Sequence, residues 1–280
     1  MRVLFYNPDR DSHADWLTLL GAALPGADIR LWTPGDVAPA DYALVWQQPP
    51  ELLQPPRGLK AVFNLGAGVD AALRQLADQP ALPLIRIDDG AMAIQMAEYV
   101  TYGVLRYFRQ FDRFAEQAGR RAWVRLSPLE KSRFTVGILG LGALGSRIAK
   151  ALRHFDFPVQ AWTRSPRTAN DVLCFHGAEG LQNMLATTRV LVCILPLTGE
   201  TCGIINRALL AQLPPQSYVI NVARGAHLMQ DDLLAAIRSG QLAGAMLDVF
   251  DEEPLPPDHP FWHDPRITVT PHISAKTVRS

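Results

Sequence analysis

At 280 residues, 48% hydrophobic and 19% charged, the chain has the make-up of a globular protein of one large or two medium domains. Lysine plus arginine equals aspartate plus glutamate, 27 each, which excludes the net basic field that would hold nucleic acid or an anionic membrane. The apolar opening at residues 1–6 is too short for a secretory leader, and no apolar run approaches the length of a membrane span. Cys174, Cys193 and Cys202 are odd in number and lack C-x-x-C spacing, so neither a disulfide framework nor a zinc site is expected, and the chain reads as cytoplasmic.

The first stretch alternates short β-type runs, at residues 2–6, 29–32, 42–46, 61–65 and 84–87, with helix-type spacing at 15–24 and 69–75. That alternation predicts a small parallel α/β unit. Within it, Asn64-Leu-Gly-Ala-Gly-Val-Asp70 closes a strand and opens a helix. Its two glycines either expose backbone N–H groups suited to a carboxylate or make a plain turn. Residues 91–117 carry apolar side chains at helical spacing, with Met92, Met96, Val100, Val104, Tyr107, Phe108 and Phe111 on one stripe, and Gly103 the one weak point. The spacing predicts one long helix linking two domains, with the stripe as core. Arg106, Arg109, Arg113, Arg120 and Arg121, interspersed with Asp112, Glu116 and Glu130, read as a solvated face.

The second half is organised around Phe134-Thr-Val-Gly-Ile-Leu-Gly-Leu-Gly-Ala-Leu-Gly-Ser146. Residues 135–139 read as a buried strand and 144–155 as a helix, and between them Gly140, Gly142 and Gly145 form G-x-G-x-x-G. The first glycine permits the tight turn, the second lets a pyrophosphate approach the backbone, and the third lets helix and strand pack closely. The phosphates of a dinucleotide then lie at the positive end of the helix, beside Ala143 and Leu144. A tight βα turn without ligand is the bland alternative.

Strands follow at 159–163, 190–193, 217–221, 245–249 and 267–269, with helices at 181–186, 207–212 and 231–239. Right-handed crossovers stack such strands into one parallel sheet, whose ligands lie beyond the carboxyl ends of the strands. The strand at 159–163 ends Thr163-Arg-Ser-Pro-Arg167, where an NAD-specific fold places an acid on the ribose. Thr163, Arg164, Ser165 and Arg167 instead suit the 2′-phosphate of NADPH, with NADH a weaker alternative. Asn221-Val-Ala-Arg-Gly225, Leu247-Asp-Val-Phe-Asp-Glu-Glu-Pro254 and Thr270-Pro-His272 close three further strands. They place Arg224, Glu253 and His272 on adjacent loops, where a guanidinium, a carboxylate and an imidazole serve the reduction of a 2-oxo acid. His259 and His263 are separated by Pro260 and flanked by Pro257 and Pro265, which break any helix that would align them, so no metal is assigned.

The glycine turn, N-V-A-R-G, L-D-V-F-x-x-E-P and T-P-H-I, in this order, resemble the D-isomer-specific 2-hydroxyacid dehydrogenases, over nearly the whole chain. The opening F-Y-N-P, A-D-Y-A-L-V-W, L-G-A-G-V-D and W-T-R-S look like its bacterial glyoxylate/hydroxypyruvate reductase branch. The resemblance implies an α/β fold of two doubly wound parallel-sheet domains, one flavodoxin-like and one Rossmann, with a cleft between them, and a homodimer. Residues 1–95 would form the substrate domain and 96–272 the NAD(P)-binding domain with the long linking helix at its start. Residues 273–280 would begin a return segment, which in the family continues as a helix bracing the cleft. The resemblance further implies that His272 donates a proton to the substrate carbonyl and that Glu253 holds its imidazole protonated. Arg224 would bind the substrate carboxylate and polarise the keto group, and Asp248 would contact the nicotinamide carboxamide. Leu195 and Pro196, with Val222, Ala223 and Arg224, would lie along the cofactor. Ala67 and Gly68 would donate to the substrate carboxylate, with Trp46 lining its pocket. The activity implied is NADPH-dependent reduction of glyoxylate and hydroxypyruvate. A different 2-oxo acid on the same scaffold, or a catalytically silent dinucleotide-binding regulator, are the rival readings.

Overall fold

The computed structural model describes residues 1–54, 57–66, 68–87 and 92–275. The chain forms two compact units, Met1–Gly90 and Ala91–Ser280. In the first, β1 (Arg2–Tyr6), α1 (His13–Ala23), β2 (Asp28–Leu31), β3 (Tyr42–Val45), α2 (Pro50–Leu53), β4 (Ala61–Asn64), α3 (Asp70–Gln75) and β5 (Leu84–Arg86) follow one another. The strands make a five-stranded parallel sheet in the order β2-β1-β3-β4-β5. Its core gathers Leu4, Ala43, Val45 and Val62 from the strands with Leu52, Leu53 and Leu76.

The second unit begins with α4 (Met92–Phe108) and α5 (Phe111–Gly119). It continues through β6 (Val136–Leu139), α6 (Ala143–His154), β7 (Val159–Thr163), β8 (Leu173–His176), α7 (Gly177–Leu185), β9 (Val190–Cys193), α8 (Arg207–Leu210), β10 (Ser217–Asn221), α9 (Gln230–Arg238), β11 (Leu242–Leu247) and β12 (Ile267–Val269). The seven strands are parallel, in the order β12-β11-β10-β9-β6-β7-β8. Strand periodicity sorts the side chains into two layers. Val136, Ile138, Val190, Val192, Ile220 and Met246 face α4 and α6, whereas Leu139, Leu191, Cys193, Val219, Ala245 and Leu247 face the helices on the other side. Both faces of the central strands are therefore dry, which is why their sequences run apolar without alternation. Gly103, the weak point of the linking helix, is where α4 rests on the sheet: a Cβ there would stand 2.9 Å from Ile220 Cδ1 and from Met246 Sδ. Four residues on, the Tyr107 ring stacks on Tyr218 with centroids 3.8 Å apart, a contact that contributes on the order of 1 kcal/mol beyond burial.

Two expectations need correction. The predicted helix over 91–117 is two helices, broken at Gln110, which adopts left-handed backbone with φ of 57°. Gln110 is buried and spends its amide on Ser127 O, at 2.7 Å, while its Oε1 accepts from Arg113. That inward polar anchor redirects the chain, and Phe111, expected in the core stripe, is exposed. Of the arginines read as solvated, Arg120 pairs with exposed Glu116, but Arg106 turns inward to donate to Thr268 Oγ1 at 2.8 Å. The sequence reading also passed over β8, an edge strand whose Cys174 and Phe175 are only half buried.

The glycine turn shows what each position tolerates. Gly140 has φ of 103°, and a Cβ on Gly145 would overlap the Gly140 carbonyl oxygen, whereas a Cβ on Gly142 would meet nothing within 4 Å. Gly145→Ala should therefore lose about 1–3 kcal/mol by overpacking, read as a lowered urea midpoint, and Gly142→Ala should leave that midpoint unchanged. Equal midpoints for the two variants would show that the turn yields to a methyl group.

Candidate active site

The carboxyl ends of β10, β11 and β12 are neighbours in the sheet, and they carry the three residues singled out in the sequence. Arg224 follows β10 in a turn shaped by Asn221, the last residue of that strand. Asn221 is fully buried; its Nδ2 donates to Arg224 O at 2.9 Å and its Oδ1 accepts from Ala223 N at 3.1 Å. The next residue has to be glycine, because a Cβ on Gly225 would overlap the Phe250–Asp251 peptide. The Arg224 turn is thus pressed against the loop that leaves β11 and carries Glu253. The guanidinium Nη1 donates to Ala223 O at 2.7 Å.

Glu253 and His272 form a pair: His272 Nδ1 lies 2.8 Å from Glu253 Oε2, both side chains about one-third exposed. The other oxygen, Oε1, accepts from Phe250 N at 2.9 Å. Partial burial by itself raises the Glu253 carboxyl. The His272 bond, the Phe250 N–H and the positive charges of His272 and Arg224 outweigh it and hold the group below the ordinary glutamate range. An ionised carboxylate only accepts, so Nδ1 carries the proton of this bond and Nε2 is left for other chemistry. Arg224 is close enough for its charge to act on Glu253, and the structure thus brings all three predicted residues to one edge of the sheet.

Asp248 occupies a place the sequence reading did not foresee. It has no solvent exposure. Its Oδ1 accepts from the Thr270 hydroxyl at 2.6 Å and from Ile273 N at 2.8 Å, and its Oδ2 accepts from Ser274 N at 2.8 Å. Asp248 O accepts from His272 N at 2.9 Å. Every one of these bonds fastens the loop that holds His272, whose φ of 53° is left-handed. A residue the sequence motifs did not single out is His227, fully buried, with Nδ1 3.1 Å from Arg224 O and Nε2 3.3 Å from Pro196 O. It ties the Arg224 turn to the Leu195–Pro196 segment expected along the cofactor, and the only signal for it was its place two residues after N-V-A-R-G. Val222 and Ala223 are buried beside it. His259 is a capping residue: its Nδ1 accepts from Phe261 N at 3.2 Å and its Nε2 lies 2.7 Å from Gln230 Oε1.

At β6, Gly142 and Ala143 are exposed and Leu144 is half buried, at the start of a 12-residue helix with no acidic residue in its first turn. Gly142 offers no side-chain cap, so the leading amides face open space where a Cβ would meet nothing. This is a cradle that fits a pyrophosphate. At the end of β7, Thr163 Oγ1 donates to Ser165 O at 2.8 Å, which curls the turn and leaves Arg164, Ser165 and Arg167 exposed. No acidic residue lies between Thr163 and Arg167, so the chemistry of these donors fits a 2′-phosphorylated dinucleotide.

In the first unit, Asn64, the last residue of β4, is buried and donates from Nδ2 to Gly66 O at 2.6 Å and Gly68 O at 3.0 Å. The Trp46 ring lies against Gly66, where a Cβ would overlap it. Ala67, expected as a second donor there, lies outside the described residues.

Comparison with known proteins bears on the whole chain. The family model for the D-isomer specific 2-hydroxyacid dehydrogenase NAD binding domain matches residues 102–274. The glyoxylate/hydroxypyruvate reductase A of Yersinia enterocolitica is 48% identical, over 99% of this chain and 90% of its own length. Among solved structures, a D-isomer specific 2-hydroxyacid dehydrogenase from Xanthobacter autotrophicus Py2, in complex with NADPH and MES, has a TM-score of 0.90 at 40% identity, covering 99% of this chain and 89% of that one. An NADPH-dependent glyoxylate/hydroxypyruvate reductase from Sinorhizobium meliloti, in complex with NADP and sulfate, has a TM-score of 0.88 at 36% identity, covering 98% and 89%. Sequence, fold and the order of the strand-end motifs agree, and the chain belongs to the D-isomer specific 2-hydroxyacid dehydrogenase family.

Proposed function

We propose that this protein is an NADPH-dependent reductase of small 2-oxo acids, converting glyoxylate to glycolate and hydroxypyruvate to glycerate. The observation that carries the reading is the Glu253–His272 pair, 2.8 Å between Oε2 and Nδ1, beside a turn whose Arg224 charge reaches it. The Yersinia and Sinorhizobium relatives, both glyoxylate/hydroxypyruvate reductases by name, support the choice of substrate.

When bound, the nicotinamide cofactor would supply the hydride that the carbonyl carbon receives. Everything else falls to the chain. Arg224 would grip the substrate carboxylate through its planar fork and draw charge toward the keto oxygen. His272 would donate its Nε2 proton to that oxygen as it becomes an alkoxide, a role worth about 10²–10⁴ in rate. Glu253 orients the ring and offsets the positive charge it carries before transfer. Gly142, Ala143, Leu144 and Gly145 would hold the pyrophosphate, with Leu195, Pro196, Val222 and Ala223 along the nicotinamide side. Thr163, Arg164, Ser165 and Arg167 would hold the adenosine end. The first unit would be the substrate domain, with Gly68 and Trp46 as its substrate-binding residues. A homodimer would cover the exposed Phe111, Phe114, Trp123 and Val124, and Trp123 is 97% exposed. We place the enzyme in the cytoplasm, in keeping with three free thiols.

The test is NADPH oxidation with a panel of 2-oxo acids; no turnover of glyoxylate or hydroxypyruvate would overturn the reading. Arg224→Ala should lower kcat/KM for glyoxylate by at least about 10²-fold while NADPH binding, followed by nicotinamide fluorescence, stays within about twofold. Arg164→Ala should weaken NADPH by about tenfold and NADH by much less, which titration of both cofactors checks. The Glu253 carboxyl, held below its ordinary value of 4.5, contributes stability that is complete above that value and lost as pH falls through the lower native one. Glu253→Gln should therefore flatten the fall of the urea midpoint on the acid side of pH 4.5, and an unchanged acid limb would remove Glu253 as its source.

A further inference from the structure

Tyr99 lies on α4, far in sequence from the active-site loops, and its hydroxyl is 2.6 Å from Thr270 Oγ1. Thr270 Oγ1 is in turn 2.6 Å from Asp248 Oδ1. Proton counting sets the direction of both bonds. The Asp248 carboxylate takes backbone N–H groups on each oxygen and acts as an acceptor, so the single hydroxyl proton of Thr270 goes to it. The Thr270 oxygen must then accept, and Tyr99 is the donor. Burial, chiefly, keeps the Tyr99 phenol protonated far above the physiological range, which suits a fixed donor.

The consequence reaches His272 through the backbone. Thr270 N donates to Leu247 O at 3.0 Å, and His272 N donates both to Asp248 O, at 2.9 Å, and to Thr270 O, at 3.1 Å. Thr270 is thus the first pin of a loop whose second pin is Asp248, and between them His272 is held in left-handed backbone. We propose that Tyr99 is a positioning residue for His272: by fixing the Thr270 hydroxyl on Asp248, it sets the loop that presents the imidazole to Glu253 and to the substrate carbonyl. This inference rests on the reading of His272 as proton donor. The same helix supplies an internal control, because Arg106 Nη1 donates to Thr268 Oγ1 at 2.8 Å, on β12 itself. That bond ties α4 to the strand just before the loop without touching the loop.

Four variants test it: Tyr99→Phe, Thr270→Val, Thr270→Ser and Arg106→Gln. Tyr99→Phe should lower kcat with glyoxylate about 3- to 10-fold, the worth of one deleted hydrogen bond, with the NADPH dissociation constant unchanged. The limb of the kcat/KM pH profile governed by His272 should move in the same variant. Thr270→Val should fall further, Thr270→Ser should return to the parent rate, and Tyr99→Phe added to Thr270→Val should cost nothing more. In the cofactor-free protein, amide hydrogen exchange at Ile273 and Ser274 should quicken in Tyr99→Phe and stay at the parent rate in Arg106→Gln. Parent-like kcat, pH profile and exchange in Tyr99→Phe would overturn the proposal, as would the same losses appearing in Arg106→Gln. Should the parent reduce no 2-oxo acid, the reductase reading falls, and the exchange rates alone then decide for or against Tyr99.

Discussion

A carboxylate without solvent contact must be met by donors of its own chain, or it costs several kcal/mol. Asp248 meets that condition with one hydroxyl and two backbone N–H groups, all from residues 270–274. The constraint acts in both directions. The loop cannot leave without exposing an unpaired buried charge, and the charge cannot be satisfied unless the loop adopts this shape. Neighbouring bonds extend the same logic across three strands. Asp248 N donates to Asn221 O at 3.1 Å, Asn221 Nδ2 donates to Arg224 O, and His272 N donates to Asp248 O. Arg224, Glu253 and His272 owe their proximity to this lacing of the backbone, and the side chains themselves add one direct bond between Glu253 and His272.

The cofactor end rests on what is missing as much as on what is present. The first turn of α6 carries no acidic residue, and β7 ends in arginines where a carboxylate would select against a phosphate. Dipole and cations point the same way: the N-terminus of α6 and the arginines that follow β7 lie at the ends of adjacent strands β6 and β7. Gly145 lets helix and turn approach, and Gly142 keeps the approach to the amides clear.

The sequence displayed these features because they are local. Strand periodicity, the three glycines and the polar strand ends each depend on residues within a few positions of one another, and the sheets follow them. What it hid is long-range. Gln110 reads as a mid-helix polar residue until its partner at Ser127 is known, and Phe111 then turns outward. The family resemblance reads Asp248 as a contact of the nicotinamide carboxamide. The partners its carboxylate has within the chain are 22 to 26 residues away, and nothing in the spacing points to them. Tyr99 lies 171 residues from Thr270, on a helix whose apolar stripe suggested nothing but core. A parallel sheet makes such separations routine, since each neighbouring strand is a whole crossover away.

The two units solve the same local problem with the same residue. In each sheet an asparagine ends a strand, Asn64 on β4 and Asn221 on β10, and its side-chain NH₂ donates to carbonyls two to four residues ahead. An aspartate of the same size would set an acceptor against those carbonyls and repel them. In one unit that turn carries Gly68, and in the other it carries Arg224. A donor-bearing side chain at the last position of the strand therefore shapes the exit in both units, and the Cβ clashes at Gly66 and Gly225 fix how closely the next layer may pack behind it.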